Sequence, residues 1–280
     1  MENRILKLMN NRSSFRNFLE QEIPQEIMDR ILECTTKAPS TSGFQNYSII
    51  VVKNREKLKH LSEYAMKQKF IEKAPAAIVF CIDLAREHTI IKKRPTPWKE
   101  DYNFVNLLTK NMDVAIAAQT LCLAAEEEGL RSIFIANILN HLQEVSSLLE
   151  LPNRVIPSLM VIIGYGKGKN NISPKYDKHV LVHNEYYHVA KEKDIVASFD
   201  EKYQNWNMKP TKKILGEIIA TAEEYEGQSY ASCCRKEIEE AGIVNPYQFY
   251  YGYWYQQEKN SVDRKKYSEF LTSKKLFWLE

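Results

Sequence analysis

Residues 113–136 read DVAIAAQTLCLAAEEEGLRSIFIA, a helical pattern running into a strand. Alanines and larger apolar side chains surround nearly the whole circumference of 113–128 until the closing glutamates, and Gly129 ends it. A helix apolar on all sides has to be covered by something, so this one is expected to be buried. RSIFIA (131–136) follows as a strand rich in β-branched and aromatic residues. Downstream, HLQEVSSLLE (141–150) is a helix with Leu142, Val145, Leu148 and Leu149 inward and Asn140 as its cap. Pro152 ends that unit, and PSLMVIIGYG (157–166) reads as a strand covered on both faces.

Upstream, AAIVFCI (76–82) is a second strand of that kind, and SIIVVK (48–53) is a third, β-branched one. EKLKHLSEYAMKQ (56–68) is helical with Leu58, Leu61 and Ala65 inward. Ile27, Met28, Ile31 and Leu32 mark a helix over 25–37, and Ile5, Leu6, Leu8 and Met9 a short one over 2–10. Residues 84–111 are less regular, with RPTPW (94–98) as a loop. Strands are too few and helices too long for an all-β protein, so the core is α+β or α/β. From about residue 194 the pattern turns helical, over 194–206 and 211–226, and aromatics then crowd residues 247–255.

A chain of 280 residues can bury roughly three quarters of its unfolded surface and needs no metal or disulfide to fold. Its 39 basic and 36 acidic residues leave a net charge of +3, too small an excess for a dedicated nucleic-acid binder. The aromatics of 247–255 and the run Arg264-Lys265-Lys266 are accordingly read as helix packing. Five cysteines, without a Cys-x-x-Cys, fit neither a disulfide framework nor a zinc ribbon. The N-terminus is too charged for a signal peptide and no apolar run approaches a membrane span, so the cytoplasm is the expected location.

Three stretches have residues suited to chemistry. Arg12-Ser13-Ser14-Phe15-Arg16 sets two guanidiniums around two hydroxyls, which suits either a phosphate or a polar surface loop. Ala38-Pro39-Ser40-Thr41-Ser42-Gly43-Phe44-Gln45 is either a helix-ending turn or a set of donors for a heterocycle or polyol. Gly164-Tyr165-Gly166-Lys167-Gly168-Lys169 looks like a phosphate loop but lacks the dinucleotide spacing and a following helix. His179, His183 and His188 are read as surface or packing residues, because VLVH looks extended.

Taken in order, these segments resemble the FMN-dependent nitroreductases, most closely the oxygen-insensitive NADPH nitroreductase and flavin reductase branch. Arg12–Phe18 stands where that family opens with its arginine-rich motif, and Ser40–Gln45 where a serine-rich loop with a Gln follows. Gln68–Pro75 is similar to the segment that brings a Gln to the flavin, and Asp113–Gly129 to the long central helix. Ser173-Pro174-Lys175 resembles a Lys-Pro-Arg segment that reaches the FMN phosphate. Ser13 stands where the family has an arginine, Lys175 and Ser173 replace Arg and Lys, and Ala136-Asn137 replace a Gly-Gly pair.

The resemblance implies an α+β sandwich with a central mixed sheet flanked by helices, built as a homodimer with FMN at the interface. It divides the chain into a core over 1–206 and a helical C-terminal extension over 207–280 packed on that core. Arg12, Ser14, Arg16 and Lys175, with Ser13 beside them, are implied at the phosphate. Ser40, Ser42, Gln45 and Gln68 are implied at the ribityl chain or ring edge, and the backbone of Ala136 or Asn137 at N5. Trp98 and Tyr102 are candidates for a loop over the flavin or for plain core packing. NADPH or NADH donates electrons, and a nitroaromatic, quinone or free flavin accepts two of them in ping-pong order, with no acid–base triad. The alternatives are a flavoenzyme of this fold with other reductive chemistry, and a non-catalytic FMN-binding or redox-sensing protein.

Overall fold

The computed structural model describes residues 3–98, 103–169, 171–258 and 263–278. In chain order its first elements are α1 (Arg4–Asn11), α2 (Gln25–Thr36), β1 (Tyr47–Val52), α3 (Arg55–Tyr64), α4 (Phe70–Lys73), β2 (Ala76–Asp83) and α5 (Ala85–Lys93). There follow α6 (Phe104–Glu127), β3 (Arg131–Ile135), α7 (Leu142–Leu148) and β4 (Val155–Gly164). Beyond them lie α8 (Lys178–Leu181), α9 (Glu192–Tyr203), α10 (Lys212–Glu226), α11 (Gln228–Ala241), α12 (Pro246–Gly252) and α13 (Arg264–Ser273). Among the described residues no helix is long and apolar enough to cross a membrane.

The strands form one sheet in the order β1-β2-β4-β3, each neighbour antiparallel. The parallel component of the expected mixed sheet is a single bridge, Ser14 to Ser132. All eight residues of β2 are buried, because helices cover both faces. Ile78 and Phe80 face one cluster with Ile31 of α2 and Ala117 and Leu121 of α6; Ala77 and Val79 face another with Leu58 and Leu61 of α3 and Val145 of α7. The alternation follows from the two-residue repeat of a strand. Opposite Phe80 and Cys81 the register of β4 slips by one residue beside Pro157, which has no N–H to contribute to a ladder.

The chain divides into two compact units, 1–172 with 262–280, and 173–261. In the first, α13 and the residues after it complete the core: Phe270, Leu271, Leu276 and Trp278 are buried there, and Arg154 donates its N–H to the Lys274 carbonyl at 2.8 Å. The second is helical, with Ile218, Ile238 and Val244 at its centre.

Several expectations change. Residues 84–111, read as irregular, hold α5 and the first two turns of α6. The central helix is not buried all round: Val114, Ala117, Ala118, Leu121 and Cys122 face inward, while Phe104, Val105, Leu108, Met112 and Ile116 are exposed. Asn140 does not cap α7; it lies inside a 3-10 turn over Asn137–His141, and His141 precedes the helix without a side-chain cap. VLVH is not extended throughout, since Val180 and Leu181 close the single turn α8. Trp98 is exposed with its ring edge-on to His88, so it is no core residue, and Tyr102 lies outside the described residues.

Candidate functional site

Residues 14–19 run across the ends of β3 and β4 as an extra edge. The Phe15 N–H reaches the Ser132 carbonyl at 3.1 Å, the Leu19 N–H reaches Tyr165 at 2.9 Å, and the Lys167 N–H reaches Asn17 at 2.7 Å. Phe15 and Phe18 are buried and meet edge-on at 5.9 Å. Ser14 and Arg16 are left exposed, whereas Ser13 is buried. The glycines that end and follow β4 serve this docking. A Cβ on Gly166 would lie 2.7 Å from the Arg131 side chain and 2.8 Å from the Phe15 ring; one on Gly164 would lie 2.6 Å from Pro75. Gly164-Tyr165-Gly166 is thus a close-approach site for two phenylalanines and a proline, which explains its likeness to a phosphate loop.

Arg12 ends α1 and sets its guanidinium over the Phe134 ring, 5.4 Å from the centroid. Its charge also reaches Cys122 and Glu126 on the inner side of α6. Burial pushes the Cys122 thiol up to about 11. Burial likewise raises the Glu126 carboxyl, against the opposing pull of Arg131, whose Nη1 donates to Oε2 at 2.6 Å.

The Ser40–Gln45 loop holds itself in shape. The Gln45 N–H donates to Ser40 Oγ at 3.1 Å, and the Gln45 amide donates to the Thr36 carbonyl at 2.8 Å. Ser42 and Gln45 lie in the left-handed region at φ 54° and 52°, and Gly43 at 70°. Thr41 anchors the loop to α6: its N–H and hydroxyl both donate to Asp113 Oδ1, at 2.8 and 3.0 Å. Ser40 and Gln45 are thereby occupied in part with the loop itself, while Ser42 is exposed. Thr41 stands within the Ala38–Gln45 stretch without a role of its own in the sequence reading, and Asp113 has none there either. The available signal was a lone carboxylate at the head of the otherwise uncharged run 113–125.

At the other end of β3, Ala136 is exposed and opens the 3-10 turn, whose first N–H groups have no acceptor inside it. The Asn137 amide donates to the Met66 sulfur at 2.9 Å, joining this end to the left-handed residues Met66 and Lys67. Those two residues end α3 early and turn the chain into Gln68. The Gln68 amide donates to the Ala65 carbonyl at 2.8 Å, and its main-chain carbonyl accepts from Ser62. Ser132 and Ala136 are about 13 Å apart along the strand at 3.3 Å per residue. One strand therefore carries the Arg12–Arg16 segment at its start and Ala136-Asn137, with the loop before Gln68, at its end. The Ser40–Gln45 loop hangs from the helix that covers this strand. Lys175 is exposed in the second unit.

The sequence model of the nitroreductase family matches residues 9–166, which include β1 to β4 and α2 to α7. An FMN reductase (NADPH) of Bacillus subtilis is 32% identical over 190 residues, 68% of this chain and 76% of that one. An NADPH-flavin oxidoreductase of Vibrio harveyi is 30% identical over 230 residues, 78% and 93% of the two chains. The crystal structure of nitroreductase A from Vibrio parahaemolyticus superposes with a TM-score of 0.68 at 29% identity, covering 74% of this chain and 86% of that one. With a family match over more than half its length, the chain belongs to the nitroreductase family.

Proposed function

We propose that the protein is an FMN-dependent NAD(P)H oxidoreductase that reduces flavins, quinones or nitroaromatics. The observation that carries this reading is the pair of donor groups at the two ends of β3, guanidinium and hydroxyl beside its start and main-chain N–H after its end. The donor set fits FMN. Arg12, Arg16 and the exposed Ser14 hydroxyl suit a phosphate, since arginine forks match its oxygens and each charge-assisted bond contributes about 1.5–3 kcal/mol. Ser42 and the Gln68 side-chain oxygen would take the polyol and ring edge, with Ser40 and Gln45 shaping the loop. Ala136 and Asn137 would offer main-chain N–H donors at the ring nitrogen where electron density collects. When bound, FMN supplies two-electron transfer between a nicotinamide donor and a small acceptor. Lys175 lies in the second unit, and its role at the phosphate is implied by the family resemblance alone. NADPH is the donor favoured by the names of the Bacillus and Vibrio harveyi relatives.

The protein acts as a homodimer in this reading. α6 leaves Phe104, Val105, Leu108, Met112 and Ile116 exposed, and α1, packed against it, leaves Ile5, Leu6 and Met9 exposed. Contiguous apolar faces of this kind are uncommon on monomers and mark interfaces. Its five free cysteines fit a cytoplasmic location. The helical extension is residues 173–261, while 262–280 belong with the first unit.

The test is an absorption spectrum of the purified protein, followed by anaerobic NADPH and NADH. A visible flavin band that bleaches on addition of nucleotide is expected, faster with NADPH. A colourless protein that takes up no added FMN overturns the proposal, and bound FMN that neither nucleotide reduces replaces it with the non-catalytic alternative.

A further inference from the structure

The helical unit 173–261 contains a cavity of about 620 Å³, a size that suits a drug-sized molecule. Ile218, Thr221 and Gly252 form part of its lining where α10 meets α12. There a Cβ on Gly252 would lie 3.1 Å from the Ile218 side chain, and the Thr221 hydroxyl donates to the Gly252 carbonyl at 3.0 Å. Four tyrosines line it as well: Tyr225 and Tyr230 flanking the Gly227 break between α10 and α11, and Tyr247 and Tyr251 from α12. Each is at least half exposed. Tyr247 is fixed by its contacts with Phe199 and Tyr251 and by a 2.7 Å bond between its hydroxyl and that of Tyr176, so this wall is already ordered.

Among the described residues the charged side chains of the lining are two carboxylates, Glu226 and Glu237. On α11 the nearby cations go to other partners: Arg235 to Glu239 and Lys236 to Glu240. Neither Glu226 nor Glu237 has an ion pair among the described residues. Tyrosine faces attract cations through the ring quadrupole, and unpaired carboxylates add a uniform negative potential. The same aromatic cluster already seats an ammonium group, with Lys202 Nζ 3.9 Å from the centre of the Tyr176 ring.

We propose that this cavity binds a planar organic cation, an aromatic ring carrying a fixed positive charge. The ring stacks among Tyr225, Tyr230, Tyr247 and Tyr251, and the charge is balanced by Glu226 and Glu237. Neutral aromatics lose the charge balance, and anionic ones meet repulsion. This proposal does not rest on the flavin reading, since every residue in it lies outside the 9–166 family match.

The probe is N-methylquinolinium, titrated calorimetrically into the holoenzyme beside quinoline and naphthalene-2-sulfonate as neutral and anionic counterparts. The cation is expected to bind at least ~10-fold more tightly than either counterpart, and the double variant Glu226→Gln, Glu237→Gln to lose about that factor. Tyr251→Leu weakens binding without changing flavin reductase turnover. Cys233 lines the cavity and is exposed, so bound cation slows its alkylation by iodoacetamide, while Cys34, exposed in the other unit, reacts as before. Equal affinity for the three probes overturns the proposal, as does binding that survives the double variant while perturbing the flavin band. Cys233 found inert before any probe is added also overturns it, because the cavity is then covered by a second copy of the chain.

Discussion

Asp113 Oδ1 accepts both the N–H and the hydroxyl of Thr41, 72 residues away in sequence. The carboxylate is 1% exposed, and its Oδ2 has no hydrogen-bond partner among the described residues. One oxygen thus ties the Ser40–Gln45 loop to the helix over β3. Asp113→Ala leaves two donors of Thr41 unpaired and is expected to lower stability by about 1–3 kcal/mol. It should also weaken FMN binding at least tenfold, read by flavin fluorescence titration. Asp113→Asn keeps an accepting oxygen for both Thr41 donors, so its melting temperature should stay near that of the parent. Equal FMN affinity in the parent and the alanine variant would detach the loop from the flavin.

Gly164 and Gly166, compared with Gly216 of α10, separate packing from backbone freedom. Gly166→Ala drives a methyl group into the Phe15 ring and the Arg131 stem, and Gly164→Ala drives one into the Pro75 ring. Each is expected to lower stability by about 1–3 kcal/mol, the usual range for overpacking. Gly166→Ala should in addition reduce FMN affinity, because Phe15 sits between Ser14 and Arg16. Gly216→Ala has open space within α10 and should raise stability by about 0.5–1 kcal/mol. Chemical denaturation of the three variants gives the order directly.

The strands were legible as short apolar runs because helices cover both faces of the sheet, and β2 is apolar up to its last residue for that reason. The beginning of α6 was not. Phe104, Leu108 and Met112 recur every four residues but on the outward face, among polar neighbours that mimic a loop. A helix apolar all round reads as buried whether its second face meets the core or another chain, so the exposed stripe could not be foreseen. Arg12, Arg16 and Ala136 were grouped by the order of motifs alone, and the Ser14–Ser132 bridge sets the Arg12–Arg16 segment beside the start of β3, whose end leads into Ala136. Asp113 was missed since its partner lies in a distant loop, a pairing that no local spacing records. The loop glutamine Gln45 was read as a ligand donor, yet its amide completes the turn by bonding Thr36.

Burial pushes the Cys81 thiol up to about 12 and that of Cys122 up to about 11, from an ordinary value of 9.0. Both should resist iodoacetamide in the native protein at pH 8, while Cys34 and Cys233 react, as peptide mapping will show. A raised folded-state value favours the protonated form, so this contribution to stability is complete below about pH 9 and is lost as pH rises toward 11 and 12. Each thiol adds up to about 1.4 kcal/mol per pH unit to the decline across that window. Cys122→Ala should therefore flatten the alkaline limb of a stability–pH curve, whatever it does to the absolute stability at neutral pH.

The apolar face of α6 can be tested without touching the site. Met112 and Ile116 are one helical turn apart and are 59% and 42% exposed, on the side away from Ala117 and Leu121. Two lysines there would meet their own copies across a two-fold axis, where like charges removed from water repel. The double variant Met112→Lys, Ile116→Lys should remain folded by circular dichroism, since neither side chain belongs to the buried clusters. It should sediment as a monomer where the parent sediments as a dimer. If the flavin lies at that interface, the monomer also loses FMN, although Arg12, Ser14 and Arg16 are intact. A variant that stays dimeric assigns the interface to another surface, and a monomer that retains FMN places the whole site within one chain.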